Sequence, residues 1–154
     1  MTKLLGGCAC QAIRYECTEQ PIAQLICHCR DCQHASGAAA AALMMVPADA
    51  FHFVTGKPAF YEITGGSGRQ ICRGFCTSCG SPVTGHWPVV DDIQMIFVGS
   101  LDDPSIFVPQ TECWLSSAHP WHSVNPDTSK VDRAPVIGVG DRVKAWREGR
   151  AKQS

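Results

Sequence analysis

The chain has 154 residues, of which 45% are apolar and 18% are charged, and its formal net charge is −1. This composition is typical of one globular domain and excludes a disordered, collagen-like or long coiled-coil chain. Because the net charge is close to zero, we expect no nucleic-acid partner. The longest uncharged apolar run, residues 38–47, is too short to span a bilayer, so we expect no membrane partner either.

Short segments of alternating or continuous apolar residues, separated by glycine and proline, predict a series of β-strands. In chain order, these strands are predicted at residues 12–17, 22–26, 51–54, 59–64, 93–98 and 106–111. The alanine-rich run at residues 38–46 fits either a short helix or a buried strand, and its periodicity does not decide between them. Residues 141–150 have the one pattern that suggests a longer amphipathic helix. We therefore predict a mainly β protein built from antiparallel sheets.

We find no internal repeat and no linker, so the chain is predicted to form a single domain. We place this domain at residues 1–146 and expect residues 147–154 to form a polar C-terminal tail.

Ten cysteines are the most informative part of the composition. Such a number indicates a disulfide framework in a secreted protein, but metal or redox chemistry in the cytoplasm. The first residues lack the apolar stretch of a signal peptide, since Leu4 and Leu5 provide nearly all of their apolar character. We therefore predict a cytoplasmic protein with reduced cysteines.

Seven of the ten cysteines fall into three tight groups, namely Cys8 and Cys10; Cys27, Cys29 and Cys32; and Cys76 and Cys79. In an extended segment residues i and i+2 point to the same face, so a C-x-C pair can present two sulfurs to one ion. A C-x-x-C turn does the same, and a following glycine, here Gly80, can adopt the positive φ that such a turn often requires. Two thiolates from each of two segments make a closed tetrahedral zinc site. We therefore pair Cys8 and Cys10 with Cys76 and Cys79 in a structural zinc site.

The middle group, Cys27, Cys29 and Cys32, offers three sulfurs and no obvious fourth ligand. Three protein ligands and one open position are the arrangement of a catalytic zinc. The negative charge of three thiolates exceeds the positive charge of one zinc ion. The zinc ion is therefore a weak Lewis acid for water and is better suited to hold a substrate thiol. We therefore predict a second, catalytic zinc site with sulfur chemistry.

Other interpretations of these cysteines stay open. His28 or His34 could supply a fourth ligand and make the triplet a second structural site. Cys76 and Cys79 could form a thioredoxin-type redox pair, although the strand-to-helix setting of such pairs is lacking. Their spacing from Cys72 also matches radical iron–sulfur enzymes, whose large α/β barrel needs a much longer chain.

Two further sets of residues are assigned by their position in the sequence. The cysteines outside the three groups are expected to be small buried apolar residues, namely Cys17, Cys72 and Cys113. Three arginines lie beside the cysteine groups and could bind a substrate carboxylate, namely Arg30, Arg69 and Arg73.

These motifs together resemble the glutathione-dependent formaldehyde-activating enzyme family (Gfa-like), which includes centromere protein V. The resemblance spans roughly residues 5–122 and rests on four segments. They are Gly7-Cys-Ala-Cys10 followed by Tyr15, Cys27-His-Cys-Arg-Asp-Cys32 followed by Ser36 and Gly37, Gly74-Phe-Cys-Thr-Ser-Cys-Gly80, and His119-Pro-Trp121.

The resemblance implies a zinc-containing fold of the β-tent (Mss4-like) type. It also implies a structural zinc on Cys8, Cys10, Cys76 and Cys79 and a second zinc on Cys27, Cys29 and Cys32. The name reaction of the family is the condensation of formaldehyde with glutathione to S-hydroxymethylglutathione, which is classed as a carbon–sulfur lyase reaction. Gln11 departs from the glycine that usually follows the second cysteine, so the backbone is expected to differ there.

We accordingly expect a zinc-dependent enzyme that acts on adducts of glutathione, or a similar small thiol, with a small aldehyde such as formaldehyde. In this hypothesis the catalytic site is Cys27, Cys29 and Cys32, glutathione is the co-substrate, and Arg30 and Arg73 bind its carboxylates. The alternative is a non-catalytic zinc protein that binds glutathione or a protein partner. Both hypotheses use the same ligands, so the sequence does not separate them.

Overall fold

The computed structural model describes residues 3–134 and 139–153. In these two ranges it contains eleven strands, two α-helices and four short 3-10 helices. The strands are β1 (Leu4–Gly7), β2 (Arg14–Cys17), β3 (Ala23–Cys27), β4 (Ala41–Pro47), β5 (Phe51–Thr55), β6 (Ala59–Thr64), β7 (Gln70–Phe75), β8 (Pro82–Trp87), β9 (Val90–Phe97), β10 (Thr111–Cys113) and β11 (Ser129–Val131). The α-helices are α1 (Arg30–Ser36) and α2 (Val139–Ala151), and the 3-10 helices are Ala48–Ala50, Val98–Ser100, Pro104–Ile106 and Leu115–Ser117.

The strands form one small sheet and one large sheet. The small sheet has the order β1-β2-β5, and the large sheet has the order β11-β10-β3-β4-β9-β8-β7-β6. The pairs are antiparallel, except that β10 runs parallel to both of its neighbours, β3 and β11. The prediction of a mainly β protein with antiparallel sheets is therefore confirmed, with a mixed edge on the large sheet.

Strand β4 lies in the middle of the large sheet and is buried on both faces. Met44 and Val46 point into a core shared with the small sheet, whereas Leu43 and Met45 point into a second core on the opposite face. A strand covered on both sides reads as a continuous apolar run because neither face meets water. This resolves the ambiguity at residues 38–46, which contain a buried strand and not a helix.

The other strand predictions have mixed outcomes. The segments at 12–17, 22–26, 51–54, 59–64 and 93–98 all overlap observed strands. The prediction for 106–111 is wrong, because Pro104–Ile106 forms a 3-10 helix and pairing begins only at Thr111. Proline fixes the backbone at the start of this turn, and Asp103 caps it by accepting a hydrogen bond from Ser105 N–H at 3.0 Å.

Helix α2 packs on the large sheet through Val143 and Trp146, which join the second core. It extends across the boundary expected between residues 146 and 147 and ends at Ala151. Arg147 binds Asp92 on β9 through two hydrogen bonds of 2.6 and 2.7 Å, and these hold the pKa of the Asp92 carboxyl below its usual range. No helix in the described part of the chain is long and apolar enough to cross a membrane.

The small sheet contacts the rest of the molecule through a very close approach at Gly6. A Cβ atom at Gly6 would lie 2.3 Å from the Tyr15 hydroxyl and 2.4 Å from the Ser100 carbonyl oxygen. The buried Tyr15 hydroxyl is itself fixed by a 2.8 Å hydrogen bond with the Ser100 hydroxyl. Any side chain at position 6 would therefore push apart two groups that have no room to move.

We predict that Gly6→Ala lowers the free energy of unfolding by about 1–3 kcal/mol, because overpacking against backbone and a fixed ring is poorly relieved. Urea denaturation followed by circular dichroism measures this change. Gly99→Ala is the matched control, since a Cβ there meets no atom within 4 Å. Equal stability of the two variants would contradict the close packing at Gly6.

Candidate metal centres

The first cysteine cluster joins two distant parts of the chain. Cys8 and Cys10 follow β1, while Cys76 and Cys79 follow β7, and the four Sγ atoms all lie within 4.8 Å of one another. The Sγ atom of Cys10 lies 3.5 Å from that of Cys8 and 3.7 Å from that of Cys76. The structure thus brings together all four residues that the sequence pairs in one site.

The two turns of this cluster share one backbone device. The residue after the second cysteine has a positive φ in both, with 63° at Gln11 and 75° at Gly80. In each turn that residue donates its N–H to the carbonyl oxygen of the first cysteine, at 3.0 Å for Gln11 and 2.8 Å for Gly80. Gly80 therefore has the conformation expected for it. The expectation of a different backbone at Gln11 is wrong, since Gln11 adopts the left-handed conformation that glycine favours.

Ser81 links the two turns through its hydroxyl group. The Ser81 hydroxyl oxygen accepts a 3.1 Å hydrogen bond from Ala9 N–H and lies 3.1 Å from the Cys79 Sγ atom. Hydrogen bonds from the Ser81 hydroxyl and backbone N–H lower the pKa of the Cys79 thiol to about 5. A thiol that ionises readily is a good metal ligand, because the thiolate is the form that binds.

The second cluster is built around the end of β3 and the start of α1. The Sγ atoms of Cys27, Cys29 and Cys32 lie within 4.8 Å of one another. Cys27 ends β3, Cys29 is the N-cap residue of α1, and Cys32 lies in its first turn. The Cys29 sulfur accepts a 3.3 Å hydrogen bond from Cys32 N–H and so caps the N-terminus of α1.

The three thiols of this second cluster shift one another's pKa values. Hydrogen bonds from the Cys27 and Cys32 thiols hold the pKa of Cys29 far below its usual range. The pKa of Cys27 is raised by its contacts with Cys113 and Cys29, and that of Cys32 by Cys27 and Cys29. Three thiolates at this spacing need added positive charge, which a divalent metal ion supplies. Because the donor set is all sulfur, both clusters suit a soft or borderline ion such as zinc.

Arg73 on β7 provides a fixed positive charge beside the second cluster. Its side chain is buried, with 3% exposure, and its Nη2 atom donates to the Cys32 sulfur at 3.6 Å. Its Nε and Nη1 atoms have no hydrogen-bond partner among the described residues. A buried guanidinium stays charged, so it has to be balanced by anions at the same place. The Cys32 sulfur accepts its hydrogen bond, and the charge of Arg73 also helps to lower the pKa of the Cys29 thiol.

A cavity of about 270 Å³ opens next to this charge. Arg73 lines it together with His34 from α1, Tyr61 from β6, and the aromatic rings of Phe75 and Phe97. The hairpin between β6 and β7 is attached to α1, since Asp31 accepts a 2.8 Å hydrogen bond from Gly66 N–H. The cavity therefore lies between the helix that carries Cys32 and the strand that carries Arg73.

The other arginines singled out in the sequence lie elsewhere. Arg30 is exposed and runs along α1, where it binds the Gln33 amide oxygen and lies 3.0 Å from His34 Nε2. Arg69 is exposed in the loop that precedes β7. Only Arg73, of these three, is buried against a cysteine cluster.

The two histidines considered as a fourth ligand do not join the three sulfurs. His28 is fully buried and points to Glu112, with 2.6 Å between His28 Nε2 and Glu112 Oε2. His34 is exposed and contacts Arg30. Within the described residues, the second cluster therefore consists of three cysteines.

Sequence reasoning missed several residues around the second cluster. Glu112 and Cys113 lie on β10, whose register places Cys113 directly opposite Cys27. Gln33 donates from its side chain to the carbonyl oxygens of His28 at 2.8 Å and Ser117 at 3.1 Å. No local motif could have found Glu112 or Cys113, because they are brought to the site by a parallel strand pair of long sequence separation. The remaining isolated cysteines are Cys17, which is buried as expected, and Cys72, which is only half-buried.

The molecule so far is a mainly β domain with two cysteine clusters that could each hold a metal ion. A family model described as glutathione-dependent formaldehyde-activating enzyme matches residues 3–117. Since the match covers well over half of the chain and both clusters, the chain belongs to this family. The Mss4-like fold class expected from the motifs is confirmed by the same match.

Comparison with solved structures shows the same architecture. The chain is similar to a crystal structure of a Rhodobacter sphaeroides protein from a structural genomics programme, with a TM-score of 0.51 and 16% sequence identity. The similarity covers 84% of this chain and 99% of that one. At this identity the likeness concerns the fold alone. No curated protein sequence matches the chain.

We predict that Gln11→Val lowers the free energy of unfolding of the zinc-loaded protein by about 1 kcal/mol or more, because a β-branched residue is strongly disfavoured at positive φ. Gln11→Gly is the matched control and is expected to be at least as stable as the wild type. Thermal unfolding of the three proteins measures the difference. If Val and Gly were equally tolerated, the left-handed conformation at Gln11 would be refuted.

Proposed function

We propose that this protein is a zinc-dependent enzyme of the carbon–sulfur lyase type, acting on the adduct of a small thiol with a small aldehyde. Glutathione and formaldehyde are the proposed substrates, as in the name reaction of the family. The single observation that carries the proposal is the three-sulfur cluster in contact with Arg73, a buried and partly unpaired arginine that also lines a cavity. The four-cysteine cluster is proposed as a closed structural zinc site.

The contrast between the two clusters supports different roles for them. In the first cluster four sulfurs lie together, the number that would complete a tetrahedral zinc site and leave no position for a further ligand. In the second cluster, Cys27, Cys29 and Cys32 provide three ligands. When zinc is bound there, it supplies one further coordination position and the positive charge at which a thiol ionises near neutral pH.

Arg73 is proposed to balance the charge of the second site. Three thiolates and one divalent zinc ion carry one excess negative charge, which the Arg73 guanidinium neutralises. A thiolate substrate adds a second negative charge, and the unpaired Nε and Nη1 atoms of Arg73 are available to stabilise it or to bind a substrate carboxylate. The burial of Arg73 beside Cys32 supports the substrate role proposed for it, while Arg30, proposed for the same role, is exposed along α1.

The reaction needs little covalent chemistry from the protein. In the synthetic direction the substrate thiol loses its proton, its sulfur attacks the aldehyde carbon, and a carbon–sulfur bond forms as the C=O π bond breaks. The carbonyl oxygen then takes up one proton, so that overall the proton lost from sulfur ends on the new hydroxyl group. Cavity walls such as Phe75 and Phe97 exclude water and hold the two reactants together, which supplies the rate gain by proximity.

The free thiols of the ten cysteines suit a reducing compartment, in agreement with the proposed cytoplasmic location.

We predict that the wild-type protein accelerates the exchange between formaldehyde, glutathione and their adduct, and that Cys29→Ala abolishes this acceleration. The substitution removes one of three ligands and thereby the second zinc, while the four-cysteine site is untouched. NMR exchange spectroscopy with catalytic amounts of protein measures the rate, and native mass spectrometry counts the zinc ions, with two expected for the wild type and one for the variant.

Cys72→Ala is the matched control, because Cys72 lies outside both clusters and should leave zinc content and exchange rate unchanged. Full activity of Cys29→Ala would overturn the assignment of the catalytic site. If the wild type held two zinc ions and bound glutathione without accelerating exchange, the protein would be a thiol-binding module and not an enzyme.

We also predict that Arg73→Met weakens glutathione binding by about tenfold or more, since a buried charge-assisted interaction contributes roughly 1.5–3 kcal/mol. Arg30→Met is expected to change the affinity by less than about twofold, because Arg30 is exposed and lies along α1. Isothermal titration of zinc-loaded protein with glutathione measures both. Equal losses in the two variants would show that the substrate carboxylates bind at the rim and not beside Cys32.

A further inference from the structure

A buried histidine–glutamate pair lies next to the second cysteine cluster in the chain, since His28 stands between Cys27 and Cys29. His28 and Glu112 have exposures of 0% and 1%, and their closest atoms, Nε2 and Oε2, are 2.6 Å apart. They are 84 residues apart in the sequence and meet only because β10 pairs with β3. Neither residue contributes an atom to the three-sulfur cluster.

His28 stands between two of the ligands and is held by its backbone as well as its ring. Its N–H donates to the Cys113 carbonyl oxygen at 3.0 Å, and its own carbonyl oxygen accepts from Gln33 Nε2 at 2.8 Å. The ring has one hydrogen bond, to Glu112, since the buried Nδ1 atom has no partner among the described residues. The carboxylate of Glu112 is therefore the group that sets the orientation of the ring.

The second oxygen of Glu112 is also fully used. Glu112 Oε1 accepts hydrogen bonds from Asn125 N–H at 2.7 Å and from the Thr128 hydroxyl at 3.2 Å. The carboxylate is thus fixed by the segment that leads to β11, and it transmits that fixed position to His28. His28, which lies between Cys27 and Cys29 in the chain, is therefore held at its ring by Glu112 and at its backbone by Cys113 and Gln33.

The energetic cost of this pair argues that it does more than add stability. A fully buried polar or charged pair rarely stabilises a protein more than apolar side chains of the same volume would. This pair also needs further polar partners, since Gln33 donates to the His28 carbonyl oxygen and both Asn125 and Thr128 donate to the Glu112 carboxylate. Buried polar groups of this kind are often found orienting the ligands of a metal site.

We propose that Glu112 is a positioning residue for the second zinc site, acting through His28 to hold Cys27 and Cys29 at the ligating geometry. This inference rests on the proposed function, because it assumes that the three cysteines bind a metal ion. It goes beyond that function in assigning a role to a residue far from the cysteine motifs. Glu112 itself touches neither metal nor substrate.

The test compares zinc affinity at the two sites in the full-length, zinc-loaded protein. Transfer of zinc to a chromophoric chelator is followed by absorbance, and the transfer that is missing in Cys29→Ala is assigned to the second site. We expect Glu112→Gln to lower zinc affinity at the second site by about tenfold, the usual size of an outer-shell effect. Zinc affinity at the four-cysteine site should not change.

Thr128→Val is the matched control, because it removes a hydrogen bond to the same carboxylate but leaves the His28 contact in place. We expect it to lower the Tm without changing zinc affinity at the second site by more than about twofold. A merely structural role for Glu112 predicts the opposite pattern, in which both variants lower the Tm and neither changes that affinity. That result would overturn the proposal.

A second variant keeps the test decisive if Glu112→Gln does not fold. His28→Gln introduces an amide that can reach the Glu112 carboxylate but removes the imidazole ring. It should show the same selective loss of zinc affinity at the second site. If neither variant folds, the pair is a requirement of folding and the positioning role is refuted. A wild-type protein that binds a single zinc ion would overturn the proposed function, whereas two zinc ions with unchanged affinity in both variants would overturn this inference alone.

Discussion

Sulfur atoms from distant segments have to meet within a few ångströms, and this requirement organises the whole structure. The four-cysteine cluster joins the end of β1 to the end of β7, and so connects the small sheet to the large one. Two turns that each end in a residue of left-handed conformation, Gln11 and Gly80, carry the four cysteines. Cys8 and Cys76 are buried in the core between the sheets, so the ligands also belong to the packing that they hold together. A metal ion bound at this point would contribute directly to the free energy of folding.

The alternation of side chains along β4 separates the two clusters. Its even-numbered residues Met44 and Val46 face the core that contains Cys8 and Cys76, and its odd-numbered residues Leu43 and Met45 face the core that contains Cys27 and Cys32. The same strand therefore packs against one cysteine cluster on each face of the large sheet.

Two buried charged residues distinguish the three-cysteine cluster from the four-cysteine cluster. Arg73 lies in contact with Cys32 on the side of the cavity, and Glu112 lies in contact with His28. Both are more than nine-tenths buried, where an uncompensated charge costs several kcal/mol. The positive charge faces the place where thiolates gather, and the negative charge faces an imidazole, so each is matched to its neighbour. The chemistry proposed for the site depends on these two different roles. Arg73 is proposed to contact the ligand, whereas Glu112 is proposed to orient His28.

The amino-acid sequence by itself determined the fold class, the family and the cysteines that cluster, because these properties are written in local spacing and in alternation along single strands. C-x-C and C-x-x-C motifs constrain sulfur positions within a few residues, so the grouping of Cys8, Cys10, Cys76 and Cys79 could be anticipated. The tertiary structure alone decided that residues 38–46 contain a central strand and that β10 runs parallel to β3. It also decided that Arg73, and not Arg30, is buried at the second cluster. The contact between Glu112 and His28 is likewise a result of the tertiary structure. Each of these depends on pairing between segments far apart in the chain, and such long-range contacts leave no periodic or local trace in the sequence.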